Sequence, residues 1–171
     1  MFNAQRSILN VQGLFAYHKK TYLLRNFFMP KGLVVTKSVL INAAPAAVWD
    51  ALVNPKKIKQ YLFGTDTISD WKVGSRITYK GEWQGKQYED GGTILKLVPE
   101  KILQSTYWSS MSGTEDKPEN YATVTYELTK KDGGTLLSLT QDNFKTEEQK
   151  KHLEENWSMV LDGLKKVAEG E

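Results

Sequence analysis

The sequence contains no cysteine. That excludes disulfide frameworks, thiol nucleophiles, iron–sulfur clusters and thiolate zinc sites. It has only two histidines, His18 and His152. A multi-histidine metal centre is therefore excluded, and a histidine-based triad would have to use one of these two. No apolar run approaches the roughly 18 residues that mark a membrane-spanning helix. GxGxxG, a Walker-type phosphate loop, HExxH and GxSxG are all missing, so nucleotide, zinc-protease and esterase chemistries have no motif behind them. No catalytic residue, metal or cofactor is expected.

Acidic residues are missing from the start of the chain. None precedes Asp50, whereas Arg6, Lys19, Lys20, Arg25, Lys31 and Lys37 do. From Asp50 onward, 17 basic residues face 20 acidic ones, so the net charge of +3 belongs to the N-terminal segment. The mildly acidic body argues against a nucleic-acid partner. Met1 to Phe28 mixes aromatic and basic residues, but Arg25 and Asn26 interrupt its apolar stretch, which is unlike a secretory signal. It reads as a leader, flexible or outside the native start, with Met29 as an alternative start. An ordered extra element and a targeting segment are the other readings. Residues 1–30 are accordingly set apart from a single domain over 31–171.

What is present fits that one domain. The chain has 171 residues, 40% hydrophobic and 25% charged, which is ordinary globular usage. Leu33 to Ile41 is rich in β-branched residues and reads as a strand. Pro45 suits a helix start, and Val48, Ala51 and Leu52 recur at helical spacing. Asn54-Pro55 begins a second short helix with Ile58, Tyr61 and Leu62 on one side, and Gly64 stops it. Ile77, Tyr79 and Trp83 share one face of an alternating strand, with Gly81 between them. Gly91-Gly92 suggests a bulge or bend in the next strand, which Pro99 ends. Ile102 to Trp108 is another strand. After a polar loop, Ser109 to Asn120, comes the alternating run Ala122, Val124, Tyr126 and Leu128. Asp132-Gly133-Gly134 supplies a hairpin turn before Leu137 and Leu139. The order is one strand, two helices and about six strands.

The final element is a long helix from Thr146 to Glu169. Thr146 and Gln149 are spaced as a capping box. Leu153, Trp157, Val160, Leu161, Leu164 and Val167 form one apolar stripe, and the inner face of a sheet is the surface large enough to cover it. The expected class is α+β, a curved antiparallel sheet wrapped around a long C-terminal helix. A sheet that curls without closing leaves room for a cavity, the usual form of a small-molecule site. Tyr79, Trp83, Tyr107, Tyr126 and Trp157 fall on inward faces, where they either fill the core or line that cavity.

The segments INAAPAAVWDALVNPKKIKQYL, GGTILKLVPEKILQSTYW, YATVTYEL, GGTLLSLTQDNF and ENWSMVLDGLKKVAE carry a resemblance. The first resembles the opening of the START-like, helix-grip superfamily, which includes polyketide cyclases and pollen allergens. The others resemble its branch named after the activator of the heat-shock-protein-ninety ATPase. The likeness spans about Leu33 to Glu169 and leaves Met1 to Phe28 aside. It implies an internal cavity lined by Leu95, Leu97, Leu103, Tyr107, Val124, Tyr126, Leu137, Leu139, Gln141, Trp157 and Leu161. Ser105 stands where many relatives carry a bulky aromatic residue, so it would open space or add a hydroxyl. Relatives include chaperone co-activators, small-ligand binders and resistance proteins, with no shared catalytic motif.

The expected function is non-enzymatic binding of an apolar or aromatic small molecule, with Gln141 and Tyr107 orienting a polar group. The alternatives are a module that contacts a chaperone, and a resistance or catalytic protein acting inside the cavity. The last needs an ionisable group there, and the inward set contains no acid, lysine or histidine. The adjacent carboxylates Glu89-Asp90 and Glu154-Glu155 do not converge and read as solvated surface. His152 reads as solvated on its helix face. The Ser109–Asn120 loop is either a lid or an ordinary connection. A cytoplasmic monomer or weak dimer is expected.

Overall fold

The computed structural model describes residues 30–171. The expectations for Met1 to Phe28, and for Met29 as a start, lie outside the described residues. Strand β1 (Leu33–Ile41) is followed by two short helices, α1 (Pro45–Val53) and α2 (Pro55–Tyr61). Six more strands follow: β2 (Asp66–Ser69), β3 (Arg76–Trp83), β4 (Lys86–Val98), β5 (Ile102–Tyr107), β6 (Ala122–Lys131) and β7 (Gly134–Phe144). Helix α3 (Glu147–Glu169) ends the fold. Six strands after the helices match the expected count, although the four-residue strand β2 has no sequence signal of its own.

Proline and asparagine set the two short helices. Each begins on a proline, whose fixed φ suits a first helical position. Asn54 ends α1 and caps α2, its side chain accepting the Lys56 N–H at 3.1 Å. Thr146 caps α3 by accepting the Gln149 N–H at 3.2 Å. Gln149 answers on the Lys145 N–H at 3.1 Å, one residue earlier than in a standard capping box. Gly170, at φ +85°, closes that helix in the left-handed conformation.

All strands pair antiparallel in the order β1-β7-β6-β5-β4-β3-β2. Strand β4 joins two parts of this curved sheet. Its Lys86–Thr93 half pairs with β3, and Ile94–Val98 pairs with β5. Gly91-Gly92 stands just before the changeover. A Cβ on Gly91 would come 2.5 Å from the Ile77 carbonyl oxygen, and one on Gly92 would overlap that of Thr106. Two glycines let backbone approach from both sides, which a bent sheet requires.

The core lies beneath the C-terminal half of α3. Val160, Leu161, Leu164 and Ala168 are buried there in one cluster with Ile41, Val48, Leu52, Leu137 and Leu139. Lys165 ties this end of the helix to β1 by donating to the Leu40 carbonyl at 3.0 Å. Among the described residues no helix is long and apolar enough to cross a membrane.

Candidate functional site

A cavity of about 250 Å³ opens beneath the N-terminal half of α3, bordered by core residues such as Leu52, Ile58 and Leu103. It falls a little below the ~300–1,000 Å³ typical of ligand pockets. Strands β3 to β7 form its floor, α2 and the segment after it one wall, and Leu153 and Trp157 its roof. Phe63 stands on its rim, 68% exposed and at a positive φ of 51°.

Eight of the residues expected to line the cavity do so: Tyr79, Leu103, Ser105, Tyr107, Val124, Tyr126, Gln141 and Trp157. Ser105 pairs directly with Val124, which pairs with Gln141, so these three form one row across β5, β6 and β7. The hydroxyl of Ser105 and the amide of Gln141 thus lie on the same strip of floor.

Six expected residues lie elsewhere. Leu137, Leu139 and Leu161 are buried in the core and do not line the cavity. Leu95 is 36% exposed, because a register shift between Ile94 and Lys96 reverses the alternation of β4. Ile94 faces inward in its place, and Leu97 returns to the inner face opposite Leu103, packed on the core rather than on the cavity. Trp83 sits at the tip of the β3–β4 hairpin, opposite Lys86, and is 54% exposed because no other described element covers the tip.

Other liners escaped the sequence reading. Leu52, Ile58, Tyr61 and Leu62 reach the cavity from the two short helices, which have an apolar side but no pattern saying what it faces. Thr65 and Tyr88 join across the wall through a 2.6 Å hydrogen bond between their hydroxyls. Tyr88 lies opposite Gly81, where any Cβ would collide with its ring. A glycine on an inward face, as at Gly81, is the signal that a large side chain crosses it from the neighbouring strand.

Asp90 is the main correction. It lines the cavity and is only 8% exposed, whereas its neighbour Glu89 is on the surface with Lys80 at 3.0 Å. Adjacent strand residues face opposite ways, so the pair divides between water and interior. The Asp90 carboxylate accepts the Tyr107 hydroxyl at 2.8 Å on Oδ2. On Oδ1 it accepts the Ser110 N–H at 2.8 Å and the Ser110 hydroxyl at 3.0 Å. Strand parity would have found it once Tyr88 was placed inward.

The other polar groups divide into engaged and available. Tyr61 donates to the Ala51 carbonyl at 3.2 Å, and Trp157 Nε1 donates to Gln141 Oε1 at 2.8 Å. The Gln141 amide nitrogen and the hydroxyls of Tyr79, Tyr126 and Ser105 make no hydrogen bond among the described residues, yet they are not sealed in the core. Burial pushes the Tyr61, Tyr79, Tyr107 and Tyr126 hydroxyls far above the usual phenol range, and beside Tyr107 the Asp90 carboxylate adds to the effect. All four stay protonated at neutral pH. Tyr79 meets Tyr107 edge to face at 6.2 Å, and Tyr126 meets Trp157 likewise at 6.0 Å.

The Ser109–Asn120 loop contributes no cavity-lining residue. It is tied to the sheet through Ser110 on Asp90, and through Asn143, which donates to the Glu119 carbonyl at 3.0 Å. Among the described residues no group of three His, Asp or Glu side chains could hold a metal ion. His152 is exposed on α3, with Nε2 3.3 Å from the Asn156 amide.

With the geometry in view, the family model described as "Activator of Hsp90 ATPase homolog 1-like protein" matches residues 42–169, most of the chain. The chain belongs to this family. Among solved structures, ChR145 of Cytophaga hutchinsonii is 50% identical with a TM-score of 0.72, over 82% of this chain and 97% of that one. The Aha1 dimer of Colwellia psychrerythraea is 21% identical with a TM-score of 0.64, over 81% and 97%. Protein MLL2253 of Mesorhizobium loti is 22% identical with a TM-score of 0.65, over 79% and 96%. The two more distant likenesses concern the fold alone. No curated protein matches the chain. The family matches the helix-grip architecture and is consistent with either ligand-binding or activator-like roles.

Proposed function

We propose that the protein binds an apolar or aromatic small molecule in this cavity without transforming it. One observation carries the reading. The interior is left open on an aromatic and aliphatic floor, where three hydroxyls and an amide make no hydrogen bond among the described residues. They are reachable from the cavity, so a ligand's polar group can bond to them. The aromatic rings supply contact area, and the row from Gln141 to Ser105 orients a polar group.

Native mass spectrometry of freshly purified protein, set against its denatured mass, tests this. A reproducible extra mass that leaves on denaturation is the expected result. A clean apo mass, together with no binding of added aromatic compounds, would sink it.

The family match favours a second reading, a chaperone co-activator acting through its surface. Stimulation of the cognate chaperone's ATPase would support it, and none at saturating protein would end it. Asp90 supplies the ionisable group that catalysis in the cavity would need. Its three donors hold it in place, and among the described residues no lysine, arginine or histidine lines the cavity to work with it. Binding without turnover is therefore the reading we favour.

A further inference from the structure

Among the described residues that line the cavity, Asp90 is the one charged group, and no basic side chain stands with it. No ion pair among the described residues includes Asp90. The cations nearest along the sheet, Lys80 and Arg76, are on the surface with Glu89. Asp90 instead holds three neutral donors. A carboxylate offers about four lone-pair sites, so one on Oδ2 stays free. Burying a carboxylate without a countercharge is costly, and buried charges are as a rule paired.

The surroundings would attract the missing charge. Tyr61, Tyr79, Tyr107 and Tyr126 line the same cavity as Asp90, and Trp157 roofs it. The faces of such rings carry negative potential and draw cations. The phenols remain protonated, so their oxygens can also accept from an ammonium group. A carboxylate or phosphate would meet Asp90 with no cation among the described lining residues to balance it.

We infer that the cavity selects an organic cation, with an ammonium-type group against Asp90 among the tyrosines and an apolar body over Leu103 and Val124. This rests on the small-molecule reading and names the class of ligand. At the other end, three strands away, the Gln141 amide donates to an acceptor on the ligand, since Trp157 occupies its carbonyl.

Three probes of one shape test the inference by calorimetric titration at neutral pH: 3-phenylpropylammonium, 3-phenylpropan-1-ol and 3-phenylpropanoate. The ammonium is expected to bind about tenfold tighter than the alcohol, and the carboxylate weakest, as a cation held by rings and a carboxylate should. Asp90→Asn should abolish the tenfold advantage of the ammonium over the alcohol. Because Asp90 also anchors the loop, Ser110→Ala serves as the second variant. It removes two of the loop's hydrogen bonds and keeps the charge, so the preference for the ammonium should survive.

Equal binding of ammonium and alcohol by the unaltered protein would overturn the inference and leave the small-molecule reading standing. So would loss of the preference in Ser110→Ala, which would mean that Asp90 acts through the loop. Failure of all three probes to bind would count against the small-molecule reading itself, and the inference would fall with it.

Discussion

The buried tyrosines around Asp90 give the protein a measurable response to pH. In the unfolded chain these phenols lose their protons near pH 10. In the folded chain burial holds the protons of Tyr61, Tyr79, Tyr107 and Tyr126 to higher pH. The stability they contribute is complete below about pH 10 and falls as pH rises past it, because the unfolded state then binds fewer protons. Denaturant midpoints should thus decline above pH 10, and the phenolate band of these four should appear only as the chain unfolds. A phenolate signal from all eight tyrosines before unfolding would contradict this. At Gly92 the constraint is steric. The methyl of Gly92→Ala would strike the Thr106 carbonyl, so the variant should lose about 3 kcal/mol, read as a lower urea midpoint.

At the scale of elements, α3 has two halves that should respond differently to truncation. Leu164 is fully buried, and Leu164→Ala should cost about 2–5 kcal/mol. Trp157 is larger, yet one side of it already faces open space. Trp157→Ala should cost less stability than Leu164→Ala while weakening ligand binding, and both quantities can be read on one preparation. Periodicity made α3 legible in the sequence, as prolines and Asn54 did the short helices and Asp132-Gly133 the last hairpin. The site was half legible. Alternation placed Tyr79, Tyr107 and Tyr126 on the cavity side, because β3, β5 and β6 keep their parity at those positions, and the family resemblance added Gln141. The resemblance misplaced Leu95, where the bulge turns the side chain over, a property of pairing that one strand does not display. Leu137, Leu139 and Leu161 were misplaced because an inward face does not say whether the space above it is filled. Tyr61 and Asp90 were missed because helix docking and the crossing of Tyr88 over Gly81 are tertiary facts.

For the molecule as a whole, the strand order fixes where opening should begin. Strand β2 is four residues long and pairs on one side only, whereas β6 and β7 lie inside the sheet. Amide exchange followed by NMR should be fast in β2 through local opening and slow in β6 and β7, where it requires global unfolding. Uniform exchange across the sheet would refute this ordering.

The same order has a consequence for biosynthesis. Among the described residues, strand β1 pairs only with β7, from Leu33 with Phe144 to Ile41 with Thr135. At about 5–20 residues per second, the roughly 100 residues between them take about 5–20 s to translate. Throughout that interval a β-branched, aggregation-prone strand has left the ribosome with no partner, and the helix that will cover it is made last. The nascent chain, rather than the finished protein, is the state most exposed to misassembly.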